Sequence, residues 1–149
     1  MSTVHLKIRI EAPIDRVWDT IMDPNRFGDW VTIHRAVKNV SANPRTEGAT
    51  MDQVMHMRGV SFKVQWTLTD VSPPTRAEWH GKGPAHSTAR IRYTLSPDGD
   101  DATDFEYTNE FTAPGGRLGS MASSMIVGAA SDREAHSSLQ RLKALLERD

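Results

Sequence analysis

The sequence predicts an α+β fold: a curved, seven-stranded antiparallel sheet around one long C-terminal helix, with two short helices after the first strand. Three observations predict it. Apolar and polar residues alternate in segment after segment between residues 4 and 111, the period of a half-buried strand. These segments are joined by hairpin-length turns, too short for the crossovers of a parallel sheet. From residue 117 onward the apolar residues switch to three- and four-residue steps, the period of a helix with one apolar stripe.

Val4, Leu6, Ile8 and Ile10 alternate with His5, Lys7, Arg9 and Glu11, giving the first strand. Pro13 then opens a helix over 13–22. Proline is favoured in a first helical turn, Asp15 suits the positive helix end, and Ile14, Val17, Trp18 and Ile21 share one face. Asp23-Pro24-Asn25 stops it, because a residue before proline avoids helical angles. Arg26 to Val31, with Phe27 and Trp30 three apart, reads as the second short helix.

Residues 36–41 form a weak strand ending in a turn at Asn43-Pro44. Met51, Gln53, Met55 and Met57 share one face of the next strand. Phe62, Val64, Trp66 and Leu68 share one face of the strand after it, and Arg58-Gly59 makes the hairpin turn between them. Ser72-Pro73-Pro74 ends that pair. Ala77 and Trp79 point inward on a strand closing at Gly81-Lys82-Gly83-Pro84. Ile91, Tyr93 and Leu95 mark the sixth strand, and Pro97-Asp98-Gly99-Asp100 is a turn. Phe105, Tyr107, Asn109 and Phe111 mark the seventh. After Pro114-Gly115-Gly116 comes a helix over 117–147. Its inward stripe holds Leu118, Met121, Met125, Gly128, Asp132, Ala135, Leu139, Leu142 and Leu146, and its solvated face holds Arg133, Glu134, Arg141, Lys143 and Glu147.

The 149 residues suit a single domain spanning 1–149, and 38% hydrophobic with 25% charged residues is an ordinary globular mixture. There is no cysteine, which excludes disulfides, thiolate nucleophiles and Cys-based metal sites and fits a reducing, cytoplasmic setting. A net charge of −1 gives no broad cationic field for nucleic acid. No run approaches the ~20 apolar residues of a membrane span, so no stable membrane insertion is expected. The first residues enter the strand pattern directly, without the features of a signal peptide.

Three passages resemble one family: Glu11-Ala12-Pro13-Ile14-Asp15-Arg16-Val17-Trp18, then Phe27-Gly28-Asp29-Trp30, and Leu139 through Glu147. The chain is identified by them as a member of the START-like superfamily, also called SRPBCC. That superfamily includes the major birch pollen allergen, lipid-transfer START domains and polyketide cyclase/dehydrase proteins. The resemblance covers essentially the whole length. It implies the helix-grip fold, in which a seven-stranded sheet grips the C-terminal helix and leaves a cavity between them. Trp30-Val31-Thr32-Ile33-His34 also looks like an actinobacterial branch, some of whose members are described as toxins of toxin–antitoxin pairs.

Strand parity places Gln53, Met55, Met57, Phe62, Trp66, Trp79, Tyr93, Tyr107 and Asn109 on the packed face. Such a surface suits an aromatic, polyketide or lipid-like ligand, with a few polar groups fixing its orientation. Met121 and Met125, among small residues, place the opening beside the first half of the terminal helix. Trp30 and His34 border its mouth. The candidate ligand-binding residues are therefore Trp30, His34, Gln53, Met55, Phe62, Trp66, Trp79, Tyr93, Tyr107, Asn109, Met121 and Met125. Asp132 falls on the inward stripe, where it needs a partner such as His34, Arg35 or a tyrosine hydroxyl; a slight rotation of the helix exposes it instead. The six histidines show no metal-binding spacing, so no metal and no cofactor is expected.

Three functions stay open: a carrier or sensor of a small hydrophobic molecule, a polyketide aromatase/cyclase-like enzyme, and a toxin–antitoxin component or protein-interaction module. The enzyme would draw general acids and bases from His34, Tyr93, Tyr107 and Asp132. Cyclases of the family tend to use an inward arginine, and parity places none inside here. An outer sheet face of Lys, Gln, Thr and Glu offers no apolar patch to a partner. The chain is expected as a monomer or homodimer.

Overall fold

The computed structural model describes the backbone of residues 2–112 and 120–148 and the side chains of residues 2–112 and 132–148. Its strands are β1 (Ser2–Ile10), β2 (His34–Lys38), β3 (Thr50–Met57), β4 (Val60–Ser72), β5 (Arg76–Lys82), β6 (Thr88–Pro97) and β7 (Thr103–Thr112). They form one seven-stranded sheet in the order β1-β7-β6-β5-β4-β3-β2. Every neighbouring pair is antiparallel. The helices are α1 (Ile14–Ile21), α2 (Phe27–Trp30) and α3 (Ser120–Glu147). The α+β fold with two short helices after the first strand is as the sequence predicts.

Alternation decides which face of each strand is covered. On β4, Val64, Trp66 and Leu68 are buried while Ser61, Lys63 and Gln65 are exposed. Two local differences from the expected boundaries have a visible cause. The second strand begins at His34 rather than 36, because a bulge between His34 and Ala36 breaks the alternation that marks a strand. Asp23 accepts a hydrogen bond from the Asn25 N–H at 2.9 Å and caps a 3-10 turn over Pro24–Arg26, so the helix expected from Arg26 shortens to α2.

The Arg58-Gly59 turn has φ of +54° and +79°. Both positive values belong to a type I′ turn, whose twist matches the flanking strands. Glycine accepts that region freely, whereas arginine enters it at a cost.

The end of α3 is fastened to the chain's beginning. Leu139, Leu142 and Leu146 join one core with Ile10, Val17, Ile21, Leu68 and Phe105. The Glu147 carboxylate accepts from the Glu11 N–H at 2.8 Å and from Lys143 at 2.5 Å. Arg16 donates to the Leu146 carbonyl. Asp132, expected on the inward stripe, is exposed, and Glu134, expected in solvent, is half-buried. The reason is helical geometry. At about 100° per residue, a face centred between Ala135 and Ser138 leaves Asp132 about a quarter turn away. The expected start of this helix at 117–119 and the side chains of Met121 and Met125 lie outside the described residues.

Gly81 on β5 sits opposite Trp66 on β4. A Cβ there would stand 2.6 and 2.7 Å from two carbons of the Trp66 ring and 2.7 Å from Val64 Cγ1. The Trp66 indole N–H is bonded to Gln53, so the ring swings away only by giving up that hydrogen bond. Gly81→Ala is expected to destabilise by about 1–3 kcal/mol through overpacking. The denaturant midpoint reads this directly, and an unchanged midpoint would mean that the indole is not held against β5.

Candidate functional site

Between the inner sheet face, α2 and α3 lies a cavity of about 450 Å³. β3 to β7 supply its floor, Phe27 and Trp30 of α2 one wall, and Glu134, Ala135, Ser138 and Leu139 of α3 another. Trp30, Gln53, Met55, Phe62, Trp66, Trp79, Tyr93, Tyr107 and Asn109, all singled out from the sequence, line it. His34 does not. Among the described residues α3 contributes Glu134, Ala135, Ser138 and Leu139; the side chains of its first half, where the sequence places the opening, lie outside the described residues.

His34 stands one step behind the wall. Gln53 is 6% exposed, and its Oε1 accepts from Trp66 Nε1–H at 2.9 Å. That contact orients the amide, so Gln53 Nε2 donates to His34 Nδ1 at 2.9 Å. His34 is therefore neutral, with its proton on Nε2. Its ring meets Phe27 edge-on, with centroids 5.8 Å apart. Burial lowers its pKa. Gln53 thus behaves as a rigid cross-brace rather than as an amide solvated inside a wet cavity.

The tyrosines form the other polar side. Tyr93 packs edge-on against Phe105 with centroids 5.4 Å apart, and its ring lies 6.1 Å from that of Tyr107. Burial, and then the neighbouring Tyr107, raise the Tyr93 pKa. Burial pushes Tyr107 up to about 12, against the opposing effect of Asn109. Both phenols stay protonated at neutral pH. Asn109 Nδ2 donates to the Tyr107 hydroxyl at 3.3 Å. Two buried side-chain atoms of the lining have no hydrogen-bond partner in the described structure: the indole nitrogen of Trp30 and Oδ1 of Asn109.

Strand parity alone does not find several members of the site. Ser87, Ser138 and Glu134 line the cavity, and so does Arg58 from the β3–β4 turn. Parity speaks only about strands, whereas these residues lie in a turn, a loop and a helix. The signal for Arg58 was available: an arginine stands before glycine in a turn that favours asparagine or aspartate there. The segment after α2 is tied to α3 through Thr32. Its N–H donates to Ser138 Oγ at 3.0 Å and its hydroxyl to the Glu134 carboxylate at 2.5 Å. Among the described residues no group of His, Asp and Glu has the arrangement of a metal site, and no helix is long and apolar enough to cross a membrane.

Residues 1–147 match the family model described as polyketide cyclase / dehydrase and lipid transport. A Mycobacterium tuberculosis protein named Toxin Rv0910 is 22% identical over 97 residues, 65% of this chain and 67% of that protein. Among solved structures, a START superfamily protein from Mycobacterium smegmatis aligns with a TM-score of 0.78 at 12% identity, covering 99% of each chain. Protein CV1439 from Chromobacterium violaceum aligns at 0.75 and 20% identity, covering 100% of both. At such identities the two structures share the fold with this chain and carry nothing further.

Proposed function

The chain belongs to the polyketide cyclase/dehydrase and lipid transport family, and from that premise we propose that its single domain, residues 1–149, carries or senses a small hydrophobic molecule held in the cavity. One observation carries the reading. An apolar cavity of about 450 Å³ is walled by aromatic and aliphatic side chains, and two of its lining residues, Trp30 and Asn109, each hold a buried polar atom with no hydrogen-bond partner among the described residues. The volume falls within the roughly 300–1,000 Å³ range of ligand pockets. Each unpartnered buried polar atom costs about 1–3 kcal/mol in the empty protein. The apolar body of a ligand gains roughly 25 cal/mol per Å² buried in such a cavity.

Binding is favoured over cyclisation by the state of the titratable groups. A cyclase needs a base close to its working pH. Tyr93 and Tyr107 are held protonated, and the basic nitrogen of His34 is engaged by Gln53. In this reading the tyrosine hydroxyls position a ligand by hydrogen bonding, and His34 braces the wall.

The test uses N-phenyl-1-naphthylamine, an uncharged aromatic probe. It should brighten on binding and quench the emission of Trp66 and Trp79, which line the cavity. Ala135→Phe places a ring into the cavity from α3 and should weaken binding at least tenfold, to be confirmed by calorimetry on protein shown to be folded by circular dichroism. Asn109→Leu should leave this probe bound and the protein as stable or more so, because it removes an unpartnered acceptor. Equal affinity for the parent and Ala135→Phe would place the probe elsewhere and end the reading.

A further inference from the structure

Next to the apolar cavity lies a second, polar concavity lined by Thr32, Ile33, His56, Met57, Arg58, Arg133 and Glu134. It shares Ile33, Met57, Arg58 and Glu134 with the cavity, so the two are adjoining compartments of one recess. The charges on its walls are unequal. Arg58 and Arg133 are exposed, and neither has an ion-pair partner among the described residues. The opposing carboxylate, Glu134, is half-buried and already accepts from the Thr32 hydroxyl at 2.5 Å. His56 is engaged through Nδ1 with Ser61 Oγ at 3.0 Å. Asp132 is exposed beside Arg133 in sequence but does not line the concavity. Two guanidinium groups against one carboxylate leave the rim with an excess of one positive charge among its arginine and glutamate side chains.

A second observation singles out Arg58. It occupies the first central position of the β3–β4 turn at φ +54°, in the left-handed region that an arginine backbone adopts at a cost. Asparagine or glycine would make the same turn without that cost. What arginine adds is a long cationic side chain at the cavity's mouth. Val60, two residues on, lines the cavity although it is 60% exposed, so apolar wall continues outward to the charged rim.

We propose that the ligand is an amphipathic acid, with its apolar body inside the cavity and a single carboxylate outside, held by Arg58 and Arg133. The proposal rests on the cavity-binding reading above and adds the chemical class of the ligand to it. Guanidinium groups suit a carboxylate because their paired N–H donors match its two oxygens. A net charge of one at the rim matches a monoanion.

Calorimetric titration of the full chain with decanoate and with 1-decanol at pH 7.5 tests the proposal. The two probes share a ten-carbon chain and differ in the head group. The parent should bind decanoate about fivefold more tightly than decanol, the size expected of exposed charge pairs. In the double variant Arg58→Gln, Arg133→Gln the ratio of the two affinities should fall to about one, whatever common change the altered cavity mouth brings to both probes. Both substitutions are on exposed side chains, and circular dichroism would verify the fold. Raising the salt concentration should shrink the preference in the parent only. Equal affinities in the parent, or a preference that survives in the double variant, overturns the carboxylate assignment and leaves the cavity reading standing. Binding of neither probe overturns both.

Discussion

Leu142→Ala is expected to lower the free energy of unfolding by about 2–5 kcal/mol, and Leu139→Ala by at least about 1 kcal/mol less. The two residues lie three apart on one stripe of α3, and the substitution is chemically identical. Their surroundings differ. Leu142 is fully buried and packs within the core that ties α3 to the rest of the chain. Its removal opens a void where none existed, and the cost of such a void rises with its volume. Leu139 is almost as buried, but one side of it already borders the cavity. Its removal widens an existing space, so fewer packing contacts are forfeited. Urea unfolding of both variants, with comparable denaturant slopes, gives the difference. Equal losses would mean that the cavity wall at Leu139 is collapsed in solution.

The sheet and the cavity floor were legible because a strand's period of two sorts residues onto faces with no knowledge of the rest of the fold. Trp66, Trp79, Tyr93 and Tyr107 follow from that rule alone. The helix was less legible. Several apolar registers satisfy three- and four-residue spacing, and only packing against the sheet selects the one that keeps Ala135 inward, adds Ser138 beside it and turns Asp132 out. His34 was illegible for another reason. Whether a histidine faces a cavity or braces its wall depends on a contact 19 residues away at Gln53. Arg58 lies in a two-residue turn, where no periodicity exists to give a side chain a direction.

That brace leads to the other large expected effect. Gln53→Leu should destabilise by about 2–5 kcal/mol, although leucine is the more hydrophobic residue. It strands two groups at once, the buried indole N–H of Trp66 and the Nδ1 lone pair of His34. Each orphaned polar group costs about 1–3 kcal/mol. Adding Trp66→Phe removes one of the orphans and should restore part of the loss, a non-additivity that a double-mutant cycle reads directly. The same brace has a pH signature. Protonating His34 places an N–H at Nδ1 against the Gln53 N–H, and turning the amide over would set its NH₂ against the Trp66 donor. Burial acts in the same direction, holding the His34 pKa in the folded protein below its ordinary value of 6.5. A lowered folded pKa means that the unfolded chain takes up the proton first as pH falls. The contribution of His34 to stability is therefore complete above about pH 6.5 and is lost progressively below it, through the folded pKa. Asparagine at position 34 still offers an acceptor to Gln53 but does not titrate. Subtracting the stability profile of His34→Asn from that of the parent, across pH 8 to 5, should leave a curve that is flat above about 6.5 and falls below it. A difference curve flat throughout would mean that His34 is not locked to Gln53.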